Sequence, residues 1–486
     1  MKKLFLLGIP SAYLLVLLLR AEQAFTQDLG RHLILGEMIL DCLCVPKTNT
    51  FSYTAPNFPF INHHWLPEVI FYLIVKVSGL YTLLGFKIMM IVLSLLPVLY
   101  VAIKRGGIAL STTVLIPLIF IFSERFDARP EIFSFVYLSL FMMFCFQYLK
   151  TKQYVYLLPL PLIQLLWVNS HIYFFIGILL YLFLFFDQVY KKSVKKQLVV
   201  IGILIAGATL LNPHGVVGAL YPLRVFGNYG YSIVENQNIF FLNGFFFNPR
   251  ILVFEVMAIV GAIALFVHIK KRNIFDVLCL LFAIVAGGVM IRNFPLFVLI
   301  AFPSIVAAFA LVIGRYNTKT RKNIAVWTIT GAFLFTLVTS LQMITSPLFG
   351  LRYVYGAEKA VDFFEKNNVP GNIFNNFDIG SYLIYRLYPA QKVFVDGRPE
   401  AYPADFFEVY KKMQTDPELF EQQVIRYDIS TIFFAHTDIT PWAQQFLQTI
   451  VRDPAWVVIY LDERIIILVR DSPENSALIK QYKVQL

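Results

Sequence analysis

A few short polar stretches in this chain combine acids, histidines, asparagines and arginines in ways that could do chemistry. Gln27-Asp28-Leu29-Gly30-Arg31-His32 opens a helix just past the first apolar segment. An anion is favoured near a helix start. Asp28 therefore reads either as an N-cap or as a general base, or a carboxylate that orients an acceptor hydroxyl. Further on comes Asn62-His63-His64-Trp65-Leu66-Pro67-Glu68. Adjacent side chains point apart on a helix, which disfavours a metal shared by His63 and His64; hydrogen bonds to a phosphate or a sugar suit them better. Arg125-Phe126-Asp127-Ala128-Arg129-Pro130-Glu131 places two guanidinium groups beside Asp127 and Glu131, between two apolar segments. That is either an internal salt-bridge cluster or a fork-shaped clamp on a lipid phosphate. Asn169, His171, His214 and Arg292 add hydrogen-bond donors in further gaps between apolar segments. Each alone reads as structural, and their joint placement carries the argument.

That placement follows from the lysines. Basic clusters fall in alternate gaps: Lys2-Lys3, Lys104-Arg105, Lys150 with Lys152, Lys191-Lys192 with Lys195-Lys196, Lys270-Lys271-Arg272, and Arg315 to Lys322. Cytoplasmic loops retain Lys and Arg, so these gaps mark the inner side. The polar stretches occupy the other gaps, at one mouth of a helical bundle. Ionisable groups at membrane depth cost on the order of 3 kcal/mol each unless paired or hydrated, so their gathering at one face points to a site.

The elements that must position them are membrane helices. The chain has 486 residues, 58% hydrophobic and 16% aromatic, with a mean hydropathy of +0.67. This is the composition of a polytopic membrane protein. About eleven helices are expected, over 4–19, 83–103, 108–122, 131–149, 154–168, 171–190, 198–211, 251–269, 274–291, 294–314 and 323–345. Pro159 and Pro161 predict a kink or break in the fifth. The apolar run 66–77 is too short for a span. If it crossed, every later basic cluster would change side, so it reads as an outer-leaflet or re-entrant element. The net charge of +11 comes largely from the inner loops. It implies orientation and contact with anionic lipid, and the absence of a basic stripe interleaved with stacking aromatics excludes nucleic acid. Lys2-Lys3 followed by Leu4 to Leu19 reads as a retained signal-anchor with its N-terminus inside.

Two domains are expected: a helical membrane domain, 1–346, with outer loops 20–82 and 212–250, and an extracytoplasmic α/β domain, 347–486. The second shows an amphipathic helix at 357–367, a turn at Val369-Pro370-Gly371-Asn372, and a short strand at Ile373-Phe374-Asn375. A helix at 378–386 and a buried strand at Lys392–Asp396 follow. Then come helix at 403–424 and strands at 430–435, 456–461 and 464–470. The four cysteines do not make a disulfide framework. Cys145 and Cys279 fall in apolar segments, and Cys42 and Cys44 are one residue apart, too close for an easy mutual bridge.

At this point the chain resembles the C-type (GT-C) integral-membrane glycosyltransferases, which include protein O-mannosyltransferases, the lipid A aminoarabinose transferase and oligosaccharyltransferases. The residues that carry the resemblance are Asp28-Leu29, His32-Leu33 and Gly36-Glu37; Phe51-Ser52-Tyr53-Thr54-Ala55-Pro56; Asn62-His63-His64-Trp65-Leu66; and Asp396-Gly397-Arg398 with Tyr402. The resemblance implies an enzyme of a bacterial cytoplasmic membrane that moves a sugar from a polyprenyl-phosphate donor to an acceptor on the outer side, with inversion. It aligns Asp28 with the catalytic carboxylate. It would put Arg125, Arg129 and Arg292, with His171 and His214, at the lipid phosphate. His63, His64, Asp127, Glu131, Asn169, Asp378, Asp396, Arg398 and Tyr402 would then stand toward the substrates. The acceptor is left open as protein, lipid or glycan. No cofactor is required, and a divalent cation is compatible with the residue set.

The chain departs from the family patterns in two places. Asp28 is followed by Leu29 where many O-mannosyltransferases have an Asp-Glu pair. Asn376-Phe377-Asp378-Ile379-Gly380 keeps only the Asp-x-Gly of the Trp-Trp-Asp-Tyr-Gly found in oligosaccharyltransferases. The second departure argues against sequon-type peptide recognition. Asp396-Gly397-Arg398 either closes over an acceptor or forms an internal ion pair at a turn. Two other readings compete: a non-catalytic GT-C-like protein that binds lipid or scaffolds the cell envelope, and a lipid or solute transporter. The transporter is disfavoured because no repeat is visible and the polar residues cluster at one mouth.

Overall fold

The computed structural model describes residues 2–22, 28–224, 230–231, 234–354 and 356–485. Gln27 of the first motif, and parts of the two long loops (23–27, 225–229 and 232–233), lie outside the described residues. The chain divides into two compact units. One comprises Met1–Ala21, Ser78–Val225 and Ser232–Arg352; the other comprises Glu22–Val77, Phe226–Tyr231 and Tyr353–Leu486.

In chain order the helices begin with α1 (Lys2–Leu18), α2 (Leu29–Cys42), α3 (Trp65–Ser78), α4 (Thr82–Gly106), α5 (Ile108–Phe122) and α6 (Glu131–Thr151). Next are α7 (Leu160–Val168), α8 (Phe174–Tyr190), α9 (Lys196–Ala208), α10 (Gly215–Leu220) and α11 (Ile239–Asn243). Then come α12 (Pro249–Lys270), α13 (Ile274–Val289), α14 (Phe294–Ile313) and α15 (Thr318–Ile344). Helices α16 (Glu358–Lys366), α17 (Gly380–Leu387), α18 (Ala404–Met413), α19 (Pro417–Tyr427), α20 (Pro441–Ile450) and α21 (Ser476–Tyr482) complete the set.

The first unit is helical. Among the described residues six helices are long and apolar enough to cross a membrane: α4, α5 with its 3-10 extension, α6, α12, α14 with the turn before it, and α15. The other five segments expected to span form apolar helices of 10–17 residues. The break expected near Pro159 and Pro161 is present: a 3-10 turn, Tyr154–Leu157, precedes α7, with Pro159 at its N-cap. A proline is tolerated at a helix start, where its missing N–H would be unpaired anyway. Helix α14 is the centre of the unit, buried continuously from Phe294 to Ala308 and packed by α4, α5, α12 and α13. Helix α15 is the opposite case. Its one buried residue is Thr339, whose hydroxyl lies 2.8 Å from that of Tyr13 on α1. Leu, Val and Phe exposed along α12 and α15 are what lipid-facing helices require, since no water is present there to penalise them.

The second unit contains a four-stranded sheet of β1 (Asn372–Asn375), β2 (Ile429–Ala435), β3 (Trp456–Leu461) and β4 (Ile465–Arg470), in the order β1-β2-β4-β3. β1 runs parallel to β2, and the other pairs are antiparallel. The expected turn before β1 has Gly371 at φ +83, a conformation that glycine adopts without strain. The β3–β4 hairpin closes where Asp462 Oδ1 accepts the N–H groups of Arg464 and Ile465, both at 2.8 Å.

Three expectations are corrected here. Lys392–Asp396 is buried at Val393–Asp396 but is not a ladder strand. It makes one isolated bridge, Val393 to Ser52, and side chains replace the ladder. Phe394 N–H donates to Asn375 Oδ1 (2.9 Å), Asn375 Nδ2 to the Val395 carbonyl (2.8 Å), and Thr54 Oγ1 to the Phe394 carbonyl (2.7 Å). The single helix expected at 403–424 is two, α18 and α19. Asp416 caps α19 by accepting from Leu419 N–H, and Pro417 cannot continue the preceding helix. Finally, Cys42 and Cys44 form a disulfide. Leu43 adopts a left-handed conformation at the end of α2 (φ 51), which turns the chain and brings the two Cα atoms to 5.1 Å, within bridging range. Cys145 and Cys279 are free and buried.

The motif Phe51 to Pro56 turns out to be a fastening. Tyr53 Oη donates to the Ile373 carbonyl at 2.9 Å, Ser52 Oγ to the Phe394 carbonyl at 3.1 Å, and Phe60 lies in the core formed with Phe374, Phe394 and Phe434.

Candidate functional site

In the second unit, Asp28 immediately precedes α2 in the N-cap position, but its side chain makes no capping hydrogen bond. It pairs instead with Arg31 one turn on, Oδ1 to Nη2 at 2.8 Å, at the i, i+3 spacing where helical side chains meet. Arg31 is buried, while a fifth of the Asp28 side chain is exposed. The pair is therefore a carboxylate held in place from behind. What holds it is backbone packing: a Cβ added at Gly30 would collide with the Ser381 carbonyl on α17, and Arg31 N–H donates to Ser381 Oγ at 3.1 Å.

The next residue, His32, is buried with Nδ1 2.8 Å from Glu68 Oε1 on α3. Asn62 Nδ2 donates to the other oxygen of Glu68 at 2.6 Å. Gly36 lets the two helices come this close, since a Cβ there would meet the Glu68 carbonyl. Burial, helped by the Arg31 charge, holds the His32 pKa below the usual histidine range, against the pull of Glu68. The imidazole is then neutral, with Nδ1–H donating to the carboxylate. The unfolded chain takes up a proton near pH 6.5 that the folded chain refuses, so stability is present above that pH and is lost as pH falls through it. The apparent melting temperature should drop between pH 7.5 and pH 5.5, by the equivalent of at most about 1.4 kcal/mol per pH unit below 6.5. His32→Gln should flatten that slope in thermal melts, and an unchanged slope would assign it to other groups.

Among the described residues, His32, His64 and Glu68 form one group with the donor atoms of a metal site, all within 4.8 Å of one another. A tetrahedral zinc needs ligand atoms roughly 3.3 Å apart. Both Glu68 oxygens already accept hydrogen bonds, from His32 and Asn62. His63 stacks edge-on against His64, ring centroids 4.3 Å apart.

Asp396, Arg398 and Tyr402, also in the second unit, form a closed knot. Arg398 donates to both oxygens of Asp396, Nε at 2.7 Å and Nη2 at 2.8 Å, and to Asn49 Oδ1 at 2.9 Å. Its guanidinium lies against the rings of Phe51 and Phe60, at 5.0 and 4.8 Å. Tyr402 Oη donates to Asp396 Oδ2 at 2.9 Å, and burial with the Asp396 charge holds that phenol protonated. Arg398 and Asp396 are fully buried. Of the two readings of Asp396-Gly397-Arg398, this is the internal ion pair. Asp378 is exposed, in the 3-10 turn Phe377–Ile379.

In the first unit the structure brings Arg125, Arg129 and Arg292 together around two glutamates. Arg125, in the turn after α5, contacts Glu131 at the head of α6 (2.6 Å) and Glu235 (2.7 Å). Arg129 reaches Glu235 at 2.9 Å, and Arg292 Nε lies 3.5 Å from Glu131 Oε2. Burial would raise the Glu235 pKa, but Arg129, Arg125 and Arg292 outweigh it and hold the carboxyl at about 2. Exposure grades across the arginines: Arg125 shows 3% of its side chain, Arg129 15% and Arg292 30%. Arg125 is the scaffold of the cluster, and the other two are more exposed. Asp127 turns the chain here, its carbonyl accepting Arg129 N–H at 2.9 Å.

The remaining donors are structural in their visible contacts. His171 is a buried histidine whose Nδ1 accepts from Ser134 Oγ at 3.0 Å, while Trp167 Nε1 donates to the same hydroxyl at 2.8 Å. Asn169 Nδ2 ties the Leu165 and Leu211 carbonyls together, at 2.8 and 2.9 Å. His214 stands at the N-cap of α10. Sequence reading missed Arg31, Asn49 and the partnerships of His32 and Glu235. The Asp28-to-Arg31 spacing could have been found; Glu235 lies 106 residues from Arg129, and no local signal links them.

Comparison with solved structures decides the fold. The archaeal oligosaccharyltransferase AglB of Archaeoglobus fulgidus, in complex with an inhibitory peptide and a dolichol-phosphate, matches 92% of this chain and 71% of its own, with a TM-score of 0.64 at 14% identity. A complex of the A. fulgidus oligosaccharyltransferase with zinc and sulfate matches 88% and 68%, at 0.57 and 13%. ArnT of Cupriavidus metallidurans, bound to undecaprenyl phosphate, matches 97% of this chain and 98% of its own, at 0.51 and 11%. The chain has the GT-C glycosyltransferase fold. By sequence, no family model and no curated protein matches it. At such identities the likeness is one of GT-C architecture: a multi-pass helical membrane protein with a small C-terminal sheet.

Proposed function

We propose that this protein is a glycosyltransferase of a bacterial cytoplasmic membrane, using a polyprenyl-phosphate-linked sugar as donor and an acceptor on the extracytoplasmic side. The observation that carries this is fold coincidence over nearly the whole chain with transferases whose structures hold dolichol-phosphate or undecaprenyl phosphate. In the proposed reaction an acceptor hydroxyl attacks the anomeric carbon from the face opposite the phosphate. Asp28 orients the hydroxyl and takes its proton. The bond from the anomeric carbon to the phosphate oxygen breaks, and polyprenyl phosphate leaves with the electron pair. Arg129 and Arg292, the more exposed of the three arginines, stabilise that leaving charge, and Arg125 holds the glutamates that position them. The chemistry needs no cofactor; a divalent ion is compatible with the acids and histidines available. The alternation of basic loops supports an N-terminus on the cytoplasmic side.

The test is native mass spectrometry of the purified protein with extracted polyprenyl-phosphate lipids. An adduct of polyprenyl-phosphate mass is expected, weakened at least tenfold in an Arg129→Gln/Arg292→Gln protein. Retention of no such lipid by the parent would overturn the donor assignment. One observation favours the non-catalytic alternative: every arginine of the cluster already faces a glutamate. Binding without turnover would select it.

A further inference from the structure

The lysine-bearing end of the helical unit contains a cavity that the transfer reading does not use. It has a volume of about 290 Å³ and is lined by the ends of α4, α6, α8 and α13, with Lys104, Arg105, Lys150, Lys191, Asp187 and Asp276 contributing the charges. The two acids are matched. Arg105 makes a two-pronged pair with Asp276, Nη1 to Oδ1 at 2.7 Å and Nη2 to Oδ2 at 2.8 Å. Lys191 Nζ is 2.7 Å from Asp187 Oδ1. That leaves Lys104 and Lys150, both exposed, as two positive charges of the lining without an acid of the lining to offset them. A concave mouth with such an excess attracts a phosphate-bearing anion.

The surface leading to the cavity says where that anion comes from. Lys104 continues a face of α4 formed by Leu93, Leu96 and Tyr100, all exposed. Their spacing of three and four residues keeps them in one row. Tyr100 itself lines the cavity, and the Lys104 ammonium lies over its ring, 5.6 Å from the centroid. An apolar row along a membrane-length helix, ending in an aromatic ring and a lysine, is the profile of an acyl chain and its headgroup. The volume suits a headgroup rather than a whole lipid. The cavity also stands apart from the arginine cluster. Glu131 opens α6 and Lys150 nearly closes it, so the two lie roughly 28 Å apart along that helix, about the thickness of a bilayer's hydrocarbon core.

We propose that this cavity binds the phosphodiester headgroup of an anionic phospholipid in the leaflet opposite the arginine cluster, held chiefly by Lys104 and Lys150. The purified full chain would be presented with phosphatidylglycerol, phosphatidylcholine or inorganic phosphate, and retention read by native mass spectrometry. Phosphatidylglycerol should be retained over phosphatidylcholine, and Lys104→Gln/Lys150→Gln should weaken that retention roughly thirtyfold. Lys192→Gln/Lys196→Gln, on exposed lysines outside the cavity, should leave it unchanged. Both substituted lysines are exposed, so folding is not at risk. Equal loss in the two double variants, or none in the first, would overturn the proposal. So would inorganic phosphate displacing the lipid completely at equal concentration, which would make the cavity a free-phosphate site.

Discussion

An Asp28→Asn protein should fold and enter the membrane like the parent and transfer sugar at least a hundredfold more slowly. The amide keeps the shape of the carboxylate, and its Oδ1 can still accept from Arg31, whose Nη2 lies 2.8 Å from Asp28 Oδ1. The packing of α2 on α17 depends on Gly30 and Ser381 rather than on this charge. What disappears is the negative charge and the capacity to take a proton, and a positioned general base contributes about a hundred- to ten-thousandfold. The readout is conversion of an extracted polyprenyl-phosphate sugar to sugar-free polyprenyl phosphate in the presence of envelope acceptors. A melting temperature within a degree or two of the parent would show that the fold is intact. Full activity in the variant would move the base elsewhere.

The largest effect on stability should come from Arg398→Ala. The substitution removes a fully buried cation, leaves Asp396 buried with only Tyr402 and backbone donors, takes one of two donors from Asn49 Oδ1, and opens a gap between Phe51 and Phe60. Breaking one side of a buried pair costs about 3–5 kcal/mol, because the remaining charge is uncompensated. In a unit of this size that is a fall of roughly 6–20 °C in apparent melting temperature. The control is Arg398→Met with Asp396→Asn, which removes both charges and keeps most of the volume. It should recover a large part of the loss, since the penalty lies in the orphaned charge and not in the absence of the pair. A single variant that melts within about 2 °C of the parent would mean that water reaches Asp396.

How far the sequence carried is clearest element by element. The eleven apolar segments were legible because a long apolar run is a continuous signal, and each is an apolar helix, six of them of membrane-crossing length. β2, β3 and β4 were legible from runs such as Ile465 to Arg470, which have no polar residue until their end. Lys392–Asp396 carries the same kind of signal, yet its hydrogen bonds are taken by Asn375, Ser52 and Thr54. Pattern reports burial and cannot report who supplies the partner. Cys42 and Cys44 failed for a local reason, the left-handed Leu43 between them, which no residue type announced. In the candidate site, Asp28 and the arginine cluster were found because charge in an apolar chain is conspicuous. Glu131 was found with them, but the distant partners were not: Glu235 comes to Arg129 across 106 residues, and beside Asp28 the neutral His32 meets Glu68 across 36. These distances are closed by tertiary packing alone.

The fastening of the Phe51–Pro56 stretch has a consequence in time. Tyr53 donates to a carbonyl 320 residues later in the chain, and Ser52 and Asn49 find their partners later still. At a synthesis rate of about 5–20 residues per second, the early segment waits roughly 15–60 s before β1 exists to receive it. Throughout that interval Phe51, Tyr53 and Phe60 have no core to enter. The nascent protein is thus open to proteases and aggregation in this early stretch, and the event that ends its vulnerability is the arrival of residues 373–398.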